Sequence, residues 1–352
     1  MAIIDDPSAY FQTTLYTGNG GTNAITNTGN SDLQPDWIWF KRRDGADNHI
    51  VFDVVRGVTK AIYPDLDNLE DTLSNSLSSF NSDGFTLGAD TASGGSINGS
   101  SETCVAWQWK AGTSVSGTTT GSGTGKAYTG SVNTDAGFSI IRHLGNDTAG
   151  HTIPHHLGAV PKMIIGHGVS GSDATSWTVY HHTLGNTHTI SLNETGAAVD
   201  SAVWNDTTPT SSVISLGSSG NVNDNDDAFI LYSFAEKQGY SKISFYKGNG
   251  DADGTFVHLG FKPAWLMVFH STAGNENWML VDNKRDGFNV ENEQLFPNTN
   301  IAEESNDEVD LLSNGFKLRR ANTRMNGSGA TYIFMAFAEN PFVASNFVTT
   351  TA

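Results

Sequence analysis

The chain has 352 residues, a formal net charge of −18 and only 16% charged residues. A protein that grips DNA or RNA displaces counterions with a basic face, so this sign argues against nucleic-acid binding, and equally against an anionic membrane surface. The single cysteine, Cys104, rules out an intrachain disulfide, and a chain of this length buries enough core to fold without a metal.

Glycine is plentiful, at 38 residues, and Asn, Thr and Ser fill the stretches between short apolar runs. That pattern calls for many strands joined by tight turns, and no window carries apolar residues at helical spacing. Residues 1–15 read as an N-terminal arm. Asp5, Asp6 and Pro7 interrupt it, so neither a signal peptide nor a membrane insertion is expected. Ile3 and Ile4 ahead of the rigid Asp6-Pro7 step suit docking onto a neighbouring molecule in an assembly.

From Tyr16 onward the chain repeats itself three times. Five landmarks recur in one order. An aromatic-x-Gly-Asn turn comes first, at Tyr16–Asn19, His143–Asn146 and Tyr246–Asn249. A proline then opens an apolar strand, at Pro35-Asp36-Trp37, Pro161-Lys162-Met163 and Pro263-Ala264-Trp265. The third is a strand with a polar tip, ending at Asp53, His181 and Asp282; the fourth is a short segment at Gly84–Leu87, Val213–Leu216 and Gly315–Leu318. The fifth is aromatic-rich, at Val105–Trp109, Ile230–Phe234 and Ile333–Phe337. The steps from first to second landmark are 35−16=19, 161−143=18 and 263−246=17.

These landmarks divide the chain into a first copy at 16–112, a second at 128–242 and a third at 243–342, with a C-terminal tail at 343–352. Trp37-Ile38-Trp39-Phe40 and Trp265-Leu266-Met267-Val268 are apolar on both faces, so they read as central strands. The expected fold is all-β: three tandem β-sandwiches of a jelly-roll or lectin-like kind with long polar loops. The polar stretches Val58–Asp83, Asn186–Ser212 and Gly287–Asn314 are those loops, long enough to suggest function. Residues 113–127 read as a flexible Gly/Ser/Thr linker. Between the second and third copies no such linker intervenes, so those two should pack together.

Candidate chemistry is thin. Gly-Ser-Gly-Thr-Gly-Lys, ending at Lys126, imitates a phosphate loop but lacks its first glycine, its Ser or Thr and its following helix. Histidines crowd the second copy without a metal-ligand spacing. Asn223–Asp227 and Asp251–Gly254 are oxygen-rich, as Asx turns also are, and lack a calcium loop's closing Glu. At the third landmark Asp53 becomes His181 and then Asp282, so what recurs is Gly, Pro and core aromatics. No catalytic residue, cofactor or metal is expected, and the chain reads as a non-enzyme. Trp177, Trp204 and Trp278, near polar loops, are candidates for stacking on a host-surface glycan or receptor, although core packing is the preferred reading of all three.

At Asp5-Asp6-Pro7-Ser8, Ala106–Ala111, Phe234–Lys242, Ser313–Arg319 and Met335–Phe342 the chain resembles a family of uncharacterised virion proteins common among marine phages. The resemblance implies a bacteriophage structural protein located in the virion, often labelled a tail fibre. It brings no catalytic residues. Its second copy usually carries glycine where this chain has His156. The implied role is an appendage subunit that helps attach to the host surface; a capsid decoration or connector that binds only other virion proteins is the alternative. Such proteins work in many copies, so a homo-oligomer is expected.

Overall fold

The structure, a computed structural model, describes residues 3–90, 96–171 and 173–345. It is all-β, built of antiparallel sheets, none of which closes on itself. Helix among the described residues is confined to single turns at Pro7–Ala9, Ala202–Trp204 and Gly220–Asn223.

One strand order appears three times. The first segment forms a four-stranded sheet in the order Phe11–Thr17, Thr103–Trp109, Trp37–Arg42, Ile50–Asp53. In the third segment the order is Ser241–Lys247, Thr331–Pro341, Phe261–His270, Met279–Asp282. In the second it is Phe138–Leu144, Ala228–Phe234, Met163–Ser170, Thr178–His181, set in the middle of an eight-stranded sheet. The strand that leads into the turn landmark is therefore always paired with the aromatic-rich strand, which pairs in turn with the proline-opened strand. The last two are apolar on both faces because both faces are covered.

Alternation along these strands divides the core into four. Ile38, Phe40 and Phe52 meet Phe85, from a smaller sheet of the first segment, and fill one cluster with it. Ile164, Tyr180, Ile214 and Leu231 do so in the second, and Leu266, Val268, Phe316 and Phe334 in the third. The opposite face of each large sheet points to a shared centre. Trp37, Trp39, Trp107 and Trp109 meet Phe138, Ile165, Tyr232 and Phe234, and both groups meet Trp265, Met267, Met335 and Phe337 there. Trp37 lies 4.8 Å from Tyr232, Trp109 5.4 Å from Trp265 and Phe234 6.0 Å from Phe337, measured between ring centroids. A wholly buried Trp contributes about 4 kcal/mol or more by area alone, so this centre is a main source of cohesion.

Two expectations are corrected. The stretch 113–127 is not a tether: Thr113–Thr118 pairs with Ala127–Asn133, from Thr113 opposite Val132 to Thr118 opposite Ala127. Thr and Val favour a pleated edge, and Gly121 and Gly123 supply the positive φ that turns the hairpin. The hairpin covers the outer edge of Phe138–Leu144, so this stretch belongs to the second segment's sheet, and the first segment is packed on both others. The arm also docks at home. Ile4 donates its amide to the Gln238 carbonyl at 3.1 Å, and Asp6 accepts from Ser8 N at 3.0 Å and from Ser31 Oγ at 2.6 Å. Pro7 is buried, Ile4 packs on the shared core, and Ile3 lies against Gly239, where a Cβ would come within 2.7 Å of it. A groove on the same chain is met at far higher effective concentration than a neighbour's surface.

Candidate functional site

The turn landmark is held by a residue the landmarks did not include. Asn98, Asn223 and Asn326 are wholly buried, one under each turn. Their side-chain oxygens accept from the backbone N–H of Asn19, Asn146 and Asn249 at 3.1, 3.0 and 3.0 Å. Their amide nitrogens donate to carbonyls such as Gly88, Gly217 and Asp251, at 2.6, 2.7 and 2.7 Å. The landmark glycines are explained at the same place: a Cβ on Gly18 would lie 2.2 Å from the Gly99 carbonyl oxygen. Each asparagine stands nine residues before a matching core position: 107−98=9, 232−223=9 and 335−326=9. That spacing was a readable signal.

The polar tips of the third landmark face a neighbouring segment. Asp53 accepts from Tyr232 Oη at 2.7 Å and from Arg56 Nε at 2.7 Å. Asp282 accepts from Trp107 Nε1 at 2.9 Å and from Arg285 Nε at 2.6 Å. At the matching third place all three groups are replaced together: His181 for the carboxylate, Leu184 for the arginine and Met335 for the donor. Removing either charged member alone would strand the other's buried charge.

Trp177 and Trp278 do not face solvent. Each is 1% exposed, and each donates its indole N–H to the preceding segment, to Tyr63 O at 2.9 Å and Ser191 O at 3.0 Å. Trp204 is 0% exposed, packed beside Tyr180 in the second segment's own core. None of the three can stack on a glycan; the apolar area of indole favours burial over a wet rim.

The long polar loops are straps between segments. Thr175 N donates to Asp67 O and Glu70 N to Val169 O, joining first to second. Asn275 N to Thr195 O and Ala198 N to Ser271 O join second to third. Glu303 N donates to Arg43 O, and Arg43 Nη2 pairs with Glu303 at 2.6 Å, joining third back to first. The links run one way round and close.

Histidine serves the same packing. His143 bonds Val222 O where tyrosines 16 and 246 bond Ile97 O and Met325 O. Burial holds His143 and His181 down to about 3, and His155 and His167 down to about 4, so they are neutral donors or acceptors. His156 keeps the turn expected of a glycine, at φ +58, with its ring 2.9 Å from Tyr128 Oη. No three His, Cys, Asp or Glu side chains among the described residues are grouped for a metal ion. Cys104 is buried, and burial pushes its thiol up to about 12.

One exposed cleft, in the third segment, is built differently. Phe288 is 72% exposed on its rim. Glu291, 3% exposed, lines its wall beside Asn283, Asn314 and the Lys262–Glu339 pair, whose charges lie 2.8 Å apart. Burial and the nearby Asp282 and Asp286 push Glu291 up to about 8. No motif flagged these residues, because Phe288 lies in a polar run and Glu291 in an acidic one.

An all-β protein whose recurring residues hold strands, turns and segments together, with open polar clefts at its surface, is the class that these features define. The chain belongs to the family described as Domain of unknown function (DUF7483), which it matches over residues 6–341. No curated protein and no solved structure matches it.

Proposed function

We propose that the chain is a non-enzymatic structural subunit of a bacteriophage particle, an appendage of the tail-fibre kind that contributes to host-surface attachment. It consists of three copies of one two-sheet sandwich, of a jelly-roll or lectin-like kind, joined head to tail into a closed ring. The observation that carries this reading is the fate of the chemistry-prone groups. Asp53, Asp282, Arg56, Arg285 and the second-segment histidines are spent on packing and on links between copies, which favours a rigid scaffold over a catalyst. The sequence resemblance to virion proteins supplies the particle, and a rigid body with outward loops suits contact with a host surface. A capsid decoration is the second reading, favoured because no fibrous shaft occurs among the described residues.

Antibody-labelled electron microscopy of purified particles tests the assignment. Label at the tail or fibre tips is the expected result, and label spread over the head shell favours decoration. A chain absent from purified particles overturns both.

A further inference from the structure

We propose that the cleft beside Phe288 binds a neutral saccharide. The inference deepens the attachment reading, on which its biological meaning rests, but the binding is a property of the isolated chain.

Three features of the cleft point to that ligand class. The first is the aromatic rim: Phe288 holds its ring in water at 72% exposure, whereas the eight tryptophans of the chain are all buried. An open ring face beside polar groups matches a pyranose, which offers C–H bonds on one face and hydroxyls around its edge. The second is a set of unused polar groups. The Glu291 carboxyl is nearly buried and has no hydrogen-bond or ion-pair partner among the described residues. Asn283 Oδ1 is buried and also lacks one. Buried polar groups normally find partners, and vicinal hydroxyls can give and take hydrogen bonds at both. The third is charge. Among the described residues that line the cleft, Lys262 is the one cation, and it is already paired with Glu339. Phosphate, sulfate and uronate groups would find no free counter-charge there, whereas a neutral hydroxyl needs none. The cleft's volume of about 490 Å³ falls within the usual range for small-molecule sites, roughly 300–1,000 Å³.

The site is confined to the third segment. The loop after Arg285 carries Asp286, Gly287 and Phe288 where the loop after Arg56 carries Gly57 and Val58. The matching places in the other copies lack the rim aromatic.

The test titrates purified full-length protein with maltohexaose, cellohexaose, laminarihexaose and mannohexaose at millimolar concentrations, read by ligand-observed NMR. At least one should bind, and Phe288→Ala should weaken that binding about tenfold or more with an unchanged melting temperature. Glu291→Ala should weaken it as well. Binding of none of the four overturns the proposal. So does binding that Phe288→Ala leaves intact, or a preference for a sulfated polysaccharide such as heparin. A chain found in particles that binds no saccharide removes this inference alone; a saccharide binder absent from particles removes the particle assignment alone.

Discussion

Glu291 shows what a single residue costs its fold. Its carboxyl is nearly buried without a partner, so the charged form is disfavoured, and the group is pushed up from its ordinary 4.5 to about 8. Between those two values the unfolded chain has lost a proton that the folded protein still holds. Stability therefore falls as pH rises through that window, and the loss is complete above about pH 8. Glutamine keeps the shape and cannot ionise. Glu291→Gln should match the parent in melting temperature at pH 4 and exceed it increasingly toward pH 8, with every other titrating group shared by the two proteins. Parallel melting curves across that range would show that the carboxyl is as well solvated as any on the surface. The buried asparagines work in the opposite sense: Asn98, Asn223 and Asn326 meet most of their hydrogen-bonding capacity inside the protein, and so hold their turns.

Among the elements, the links between segments behave as units. Asp53, Arg56 and Tyr232 form one buried network, and the matching set in the second segment and its neighbour is His181, Leu184 and Met335. Asp53→Ala should cost about 3–5 kcal/mol, because it leaves the wholly buried Arg56 without its closest counter-charge. The triple variant Asp53→His, Arg56→Leu, Tyr232→Met copies a solution the chain already contains, and should recover most of that loss in urea denaturation. A triple variant as unstable as Asp53→Ala would mean that the network is more than a replaceable contact. Much of this element scale was legible beforehand. The proline-opened strands announce themselves by apolar residues on both faces, and the turn landmarks by Gly-Asn. The hairpin at 113–127 did not, because Gly, Ser and Thr make a tether and an exposed edge strand equally well; only the partner, Ala127–Asn133, decides. Asn98 and its two counterparts do not stand out by residue type among many loop asparagines; only their common nine-residue step to the aromatic-rich strand marks them. The straps depend on pairing between distant segments, which local patterns do not record, and the tryptophans take the preferred core reading rather than the surface one, which nearby polar loops alone do not separate.

Across the molecule the three segments share one core, and that follows from where their apolar surface lies. Each segment has an inner cluster between its two sheets, but the other face of each large sheet carries Trp, Phe and Met toward the shared centre. A segment released on its own would open that face to water, a contiguous apolar patch of the kind that drives aggregation. The straps and the arm add to the coupling: Glu303 ties third to first, and Asp5 near the N-terminus accepts from Ser345 N at 2.7 Å near the other end. Independent domains on flexible linkers unfold separately, whereas segments that share a core lose it together. The full chain should therefore give a single calorimetric transition with calorimetric and van't Hoff enthalpies in agreement. Residues 113–242 expressed alone, with the second segment's sheet complete, should be insoluble, or bind an apolar dye strongly. Mutating Trp37 to Ala, on the first segment's inward face, should lower the one transition as a whole, by about 3–5 kcal/mol, without splitting it. Two or three resolved transitions, with only the first shifted by that change, would mean that the centre is a contact between autonomous domains rather than a common core.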